Sequence, residues 1–244
     1  MFELFITMIE KPLVTVITVC YNAVSLIEKT IRSVLAQQYE HIEYIVVDGG
    51  STDGTIEIIR KYEAHISHWI TEQDEGIYDA MNKGVAMATG EWCIFLNAGD
   101  TFTADDVLNR VFQVPREADV IYGDVVKNGT VKVAEPPHNS HRMYFCHQSC
   151  LTRTACLRTF PYDTSHRMSA DFKLYKLLWK KHYRFLQLPF AIANFDTTGV
   201  SNTSRSRGLY DNIRIIRELD GYLEQIRLLP RLYFVYFLCK LKNQ

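Results

Sequence analysis

Between Leu13 and Asp124 the chain alternates β-branched runs with segments of helical apolar spacing, and this constrains its fold more than any other feature. LVTVITV (13–19) and IEYIVVD (42–48) are short, Val- and Ile-rich runs that read as buried strands. Between them Ile27, Ile31, Val34 and Leu35 recur at helical spacing. The pattern then predicts a helix over Thr55 to Tyr62, a short strand HWIT (68–71), a helix over Ile77 to Ala88 and a strand WCIFL (92–96). Strands that alternate with helices pair in parallel, because each helix carries the chain back along the face of the sheet. The expected fold class is therefore α/β, and ligands of such sheets sit beyond the carboxyl ends of the strands.

After Asp124 the style changes. VVKNGTVKV (125–133) predicts a hairpin, with Asn128-Gly129 supplying the two positive φ angles of a type I′ turn. A loop with Pro136 and Pro137 follows, then an apolar patch at 149–151, an amphipathic helix over Ala170 to Lys181 and a last strand over Phe190 to Phe195. TTGVSNTSRSRG (197–208) has loop composition, and helical segments are expected over 209–227 and 231–242. The chain divides accordingly into a lead-in (1–12), a first half (13–124), a second half of the same domain (125–208) and a helical tail (209–244).

Composition narrows the function. A 47% apolar, 23% charged chain of 244 residues is an ordinary globular protein with a substantial core. A net charge of -1 leaves no footprint for nucleic acid, so an anionic ligand must be held locally, by a metal or a few placed cations. The opening MFELFITMIE is short and acidic for a signal peptide, and no apolar run is long enough to span a bilayer, which points to the cytoplasm. The six cysteines include no C-x-x-C pair and read as reduced thiols; Cys146, His147, Cys150 and Cys156 have no familiar zinc spacing.

The strand ends carry the chemistry. They read TVCYN (18–22), DGGSTDGT (48–55), TEQDEGIYDAMNKG (71–84) and LNAGD (96–100). In this order, within VTVITVCYN, VVDGGSTDGT, DEGIYDAMNKGVAMATGEW and FLNAGD, they resemble the inverting family 2 glycosyltransferases of the GT-A fold. The likeness is greatest to bacterial members that build capsular, exopolysaccharide and lipopolysaccharide chains. It implies a mostly parallel GT-A sheet flanked by helices, a nucleotide-sugar-binding half over 13–124 and an acceptor-side half over 125–208. It also implies a nucleotide-sugar donor, a glycan or lipid-linked acceptor, and a divalent cation, Mn or Mg.

The same resemblance assigns residues. Asp100 stands where the family keeps its metal-binding aspartate, although Asn97 and Gly99 occupy places that often hold acids; Asn97 is expected near the ribose or a water. Asp100 also suits a turn or helix cap. Asp48 resembles the acid that reads the base or ribose, with a turn aspartate as the alternative. Thr18, Tyr21 and Asn22 end the first strand where the family holds the nucleotide, and Asp79, Asn82 and Lys83 fall on the helix of its D-x-G-x-x-x-A-x-N-x-G signature, where solvated charges are the alternative. Asp53 reads as a cap for the second helix. Attack by an alcohol needs a base, and Asp171 in SADFKLYKLL (169–178) matches the family's catalytic acid, with Ala170 replacing the first acid of its E-D pair. A carboxylate is also favoured at a helix start by the dipole alone. His147 and Gln148 resemble an H-Q pair that contacts acceptor or phosphate, and Arg205 and Arg207 lie in a loop able to close over the site, with solvated arginines the alternative. The tail 231–242 reads as a core or dimer helix, or as one lying at a membrane interface.

Three rivals were weighed. A nicotinamide dehydrogenase would need G-x-G-x-x-G after the first strand, where CYNAVSL stands. A nucleotidylyltransferase would need a Gly- and Arg-rich loop there. An inactive transferase-like binding module is the third, kept open by Ala170, Asn97 and Gly99.

Overall fold

The computed structural model describes residues 11–113, 117–198 and 205–242. The first half alternates as its sequence predicts: β1 (Val14–Cys20), α1 (Ile27–Leu35), β2 (Ile42–Asp48), α2 (Thr55–Lys61), β3 (His68–Thr71), α3 (Ile77–Met87) and β4 (Trp92–Phe95). Then come β5 (Thr101–Phe102), α4 (Val107–Val111), β6 (Val120–Lys127), β7 (Thr130–Lys132), β8 (Cys150–Arg153) and α5 (Thr154–Thr159). The chain ends in α6 (Ala170–Lys180), β9 (Phe185–Phe195), α7 (Arg205–Leu219) and α8 (Tyr222–Lys242).

All the strands join one sheet in the order β3-β2-β1-β4-β8-β6-β9-β5, with β7 on β6. The four strands of the first half are mutually parallel. β8 runs antiparallel to both β4 and β6, so the parallel block and the second half are joined across one reversed strand. Alternate residues of each strand face opposite ways. Val14, Val16 and Ile94 pack with Ile27, Ile31 and Val34 of α1 on one face, while Ile17, Ile45 and Phe95 pack with Met81 and Val85 of α3 on the other. Each such fully buried aliphatic side chain contributes about 1.5–3 kcal/mol. A third cluster joins Phe172 of α6 to Ile213 and Ile216 of α7 and to Leu228 and Leu232 of α8.

Four expectations are corrected. The last strand begins at Phe185, five residues before Phe190, because a register shift opposite Tyr122 and Asp124 accommodates Pro189. There Gly123 is required: a Cβ would stand 2.4 Å from the carbonyl oxygen of Phe190. Asp100 caps no helix: Thr101–Phe102 pairs with β9, Thr103 donates its N–H to Ile192, and α4 begins only at Val107. Arg205 and Arg207 open α7 rather than lying in a loop; residues 199–204 of the expected loop lie outside the described residues. Finally, the tail breaks at Gly221, not near Pro230, which sits inside α8. The Asn128-Gly129 turn has both φ angles positive, 50° and 71°, as its sequence requires. All six cysteines are free thiols, and among the described residues no helix is long and apolar enough to cross a membrane.

Candidate active site

β1 lies between β2 and β4, so the segments that follow all three meet at one rim. Cys20 pairs with Asp48, and the N–H of Ala98 donates to the carbonyl of Val19. Thr18 lies beneath this rim, fully buried, with its hydroxyl 3.1 Å from that of Tyr44; it braces the sheet rather than facing a ligand. Tyr21 projects outward and is 64% exposed, which leaves its ring free to stack. Asn22, at φ 46°, accepts the N–H of Thr52 at 2.9 Å and donates its own N–H to Ser51 at 2.7 Å, tying the first rim loop to the second. Asp53 accepts from the N–H of Thr55 and of Val24, so its structural part is to start α2 and cross-link the same loops.

Asp48 is fully buried and its oxygens are engaged. Oδ2 accepts from the N–H of Gly50 and Ser51 and from the Thr71 hydroxyl, and Oδ1 from the Ser51 hydroxyl. Burial pushes its carboxyl up, but the Ser51 and Thr71 hydroxyls outweigh it and hold the group below the ordinary carboxylate range. The turn aspartate is thus the geometry present, and Asp48 shapes the glycine loop from within.

The DEGIYDAMNKG segment is bonded largely to itself and its neighbours. Asp79 accepts the N–H of Glu75 and lies 3.3 Å from Lys83, which also meets Glu72 at 2.8 Å and the carbonyl of Gln73 at 3.0 Å. Lys83 is therefore already neutralised. Asn82 departs from its expected place beside the nucleotide: its amide donates to the carbonyl of Tyr162 and accepts the N–H of the same residue, both at 2.9 Å. A side-chain amide matches a backbone peptide in this way, and the pair clamps the two halves together. Tyr78 has a part that sequence reasoning missed. Its hydroxyl donates to Asp171 at 2.8 Å.

Beyond β4, Asp100 is 2% exposed. Its Oδ1 accepts the N–H of Asp196 at 2.8 Å and its Oδ2 the N–H of Asn97 at 3.2 Å. Each oxygen retains a lone pair. Burial pushes this carboxyl up to about 6, against the lowering effect of those backbone donors and of nearby His147. Asn97 Oδ1 is buried without a hydrogen-bond partner. A carboxylate and an amide carbonyl together are the hard oxygen donors that Mg or Mn take, so the residues present fit a divalent ion. Gly99 between them has φ 105°, and a Cβ there would meet Asp196 at 2.9 Å.

The second half of the chain brings the third element. Asp171 lies in the first turn of α6, after the cap position Ser169. Its Oδ2 is 3.1 Å from His147 Nδ1, and its side chain is 16% exposed. Burial pushes the carboxyl up, but the His147 contact and the Tyr78 hydroxyl more than reverse this and hold it below its ordinary 3.8. His147 acts electrostatically on both Asp100 and Asp171, and so links the rim of β4 to α6. Its Nε2 is buried and without a hydrogen-bond partner. Gln148 is 3% exposed and accepts from the Cys146 thiol, a packing contact. Arg207 is exposed and lines a separate cavity beside α8.

Among the described residues one group of acidic and histidine side chains has metal-like spacing, Asp163, His166 and Glu218. A cation already sits there: Lys173 Nζ is 2.6 Å from Asp163, 3.3 Å from His166 and in contact with Glu218. This cluster is an ion-pair network rather than a metal centre.

The curled, mostly parallel sheet flanked by helices has the GT-A glycosyltransferase fold. The chain belongs to glycosyl transferase family 2, whose model matches residues 15–208. A PGL/p-HBAD biosynthesis glycosyltransferase of Mycobacterium tuberculosis is 29% identical over 213 residues, covering 83% of this chain and 80% of the relative. Bacillus subtilis TuaG, named for teichuronic acid biosynthesis, is 42% identical over 100 residues, 39% of each chain. Among solved structures, the mannosyltransferase PcManGT from Pyrobaculum calidifontis, in complex with GDP-Man and Mn2+, superposes with a TM-score of 0.68 at 20% identity. That match covers 86% of this chain but spans only 65% of the mannosyltransferase. A Staphylococcus aureus TarS fragment in complex with UDP gives 0.65 at 20% identity, over 88% of this chain and 68% of that one. At such identities the likeness to solved structures is one of fold.

Proposed function

We propose that this enzyme transfers a sugar, with inversion, from a nucleotide-diphosphate sugar to a hydroxyl of a glycan or lipid-linked acceptor during assembly of a bacterial surface polysaccharide. The observation that carries the reading is the grip on Asp171. A general base near an acceptor must be ionised and aimed, and Tyr78 and His147 do both for this carboxylate. Relatives named for PGL/p-HBAD and teichuronic acid biosynthesis support the acceptor class, and fold neighbours complexed with UDP or GDP-Man support the donor class. A UDP-sugar is the first donor to test.

Asp171 takes the proton of the acceptor hydroxyl as its oxygen attacks the anomeric carbon from the face opposite the departing diphosphate. Asp100 and the carbonyl of Asn97 would hold a divalent ion, Mn or Mg, which supplies the positive charge that a diphosphate needs and this chain's net charge of -1 does not. Tyr21 offers its exposed ring to the base, beside the loop that Asp48 and Asn22 shape. Asp79 and Lys83 brace that loop's neighbour through their mutual ion pair.

A thermal-shift screen of uridine, guanosine and thymidine diphosphates and their sugars, with and without manganese, tests the reading. A ligand that binds only the folded state raises the melting temperature by mass action. One base series should do so, and more strongly with the ion; no shift with any nucleotide would remove the proposal.

A further inference from the structure

Helix α8 turns one face to the protein and the other away from it. Leu228 and Leu232 are 7% and 2% exposed and pack onto α6 and α7. At three- and four-residue spacings on the far side stand Leu223, Ile226, Pro230, Phe234, Phe237 and Leu241, of which Leu223, Phe234 and Phe237 are 80%, 65% and 64% exposed. Such spacing draws one continuous apolar stripe along the helix. Arg227 and Arg231 border it on one side and Lys240 on the other, all exposed, and the only acid on the helix, Glu224, turns inward to Lys180. The stripe is longer than the 231–242 tail that sequence suggested.

Beside it is a cavity of about 320 Å³ where α8 passes the start of α7. Arg167, Arg207 and Lys240 line it with the hydroxyls of Ser165 and Ser206 and the rings of Tyr210 and Tyr236; the one acid on its wall, Asp211, is buried and already accepts the N–H of Met168 and pairs with Arg214. Among the described residues neither arginine has an acidic partner within salt-bridge distance. Three cations with hydroxyl donors around an open cavity form a receptor for a phosphate group.

We propose that this face is a membrane-docking surface, with the stripe of α8 lying in the interface of an anionic bilayer and the Arg167–Arg207–Lys240 cavity holding a lipid headgroup phosphate. An apolar helix face bordered by cations matches the layering of such an interface, apolar below and negatively charged at the surface. A second copy of the chain fits less well: a two-fold contact through the stripe offers Arg227, Arg231 and Lys240 no acid of α8 except Glu224, which is already paired with Lys180. The surface also has a use. The cavity wall at Arg167 and Met168 continues directly into Ser169 and the turn that carries Asp171. The proposed docking surface is thus joined by a short stretch of chain to the turn of the proposed base, while the binding itself is independent of the transfer reaction.

Vesicle co-sedimentation of the full chain, without donor, tests this and leaves the catalytic reading untouched. The intact protein should sediment with vesicles of phosphatidylcholine mixed with phosphatidylglycerol, and far less with phosphatidylcholine alone. Phe234→Ser with Phe237→Ser removes two exposed rings and should weaken binding at least about tenfold, with far-UV dichroism and melting temperature unchanged. Arg167→Glu with Arg207→Glu should reduce binding to the level seen on neutral vesicles. Absence of co-sedimentation with either vesicle overturns the proposal. So does a melting-temperature rise with inorganic phosphate, lost in the double Glu variant, without vesicle binding, which would assign the cavity to a soluble anion. A dimer in sedimentation velocity that the Phe234→Ser, Phe237→Ser variant abolishes would also overturn it.

Discussion

His147 Nδ1 lies 3.1 Å from Asp171 Oδ2, a contact between residues 24 positions apart, while Oδ1 of the same carboxylate accepts the Tyr78 hydroxyl from the first half of the chain. The Asp171 carboxylate, the base of the proposed reaction, is therefore oriented by groups from both halves. Its helix position alone does not account for it.

The pH profile of kcat/KM follows from that grip. Both donors favour the ionised form, so the folded value lies below 3.8 and the acid limb due to Asp171 should fall below that pH in the natural enzyme. Tyr78→Phe removes one donor, raises the carboxyl and moves the limb to higher pH. His147→Gln should move it further, since the histidine is the larger influence. Profiles superimposable on the natural one would show that neither residue positions the base.

Asp100 is the anchor expected for a divalent ion. Chelation should abolish transfer, and Mn or Mg should restore it. Asp100→Asn keeps the shape but not the charge, and turnover should drop roughly 10²–10³-fold and stay low on adding the ion. Direct titration of manganese against the two proteins, with nucleotide diphosphate present, checks the assignment; equal affinity would contradict it.

Gly99 holds the turn between Asn97 and Asp100 at φ 105°, and a Cβ would press on Asp196. Gly99→Ala should therefore lower stability by about 1–2 kcal/mol in denaturant unfolding, from the left-handed backbone alone, and reduce turnover as the turn shifts.

Asn82 separates a structural from a ligand-binding part. Asn82→Leu leaves the N–H and carbonyl of Tyr162 without their partner, at a cost of about 2–4 kcal/mol in unfolding free energy. Donor affinity of the folded variant, measured by titration calorimetry, should stay close to that of the natural protein.

Much of this was legible beforehand. The Val- and Ile-rich runs announced β1, β2 and β4, and the polar strand ends marked the rim, because alternation fixes a parallel sheet and the sheet fixes where its loops converge. Asp100 and Asp171 were legible as candidates for the same reason. What eluded the sequence depended on pairing across distance. The extension of β9 back to Phe185 depends on a register shift opposite Asp124 that accommodates Pro189, which only the pairing with β6 reveals. Thr154–Thr159 has no periodicity strong enough to announce a helix as short as α5. For Tyr78 nothing local shows that its hydroxyl reaches a residue 93 positions away. Asn82 and Thr18 were read from motif position alone, and their partners, Tyr162 and Tyr44, belong to other parts of the chain.

The most direct test is a paired measurement on Asp171→Asn, the substitution that keeps the carbonyl able to accept from Tyr78 and removes the basic oxygen. Donor Kd by calorimetry should match that of the natural enzyme, while kcat for transfer falls by roughly 10²–10⁴-fold, the share a positioned base supplies. Turnover within a few-fold of the natural rate, or donor binding lost in step with turnover, would contradict the account.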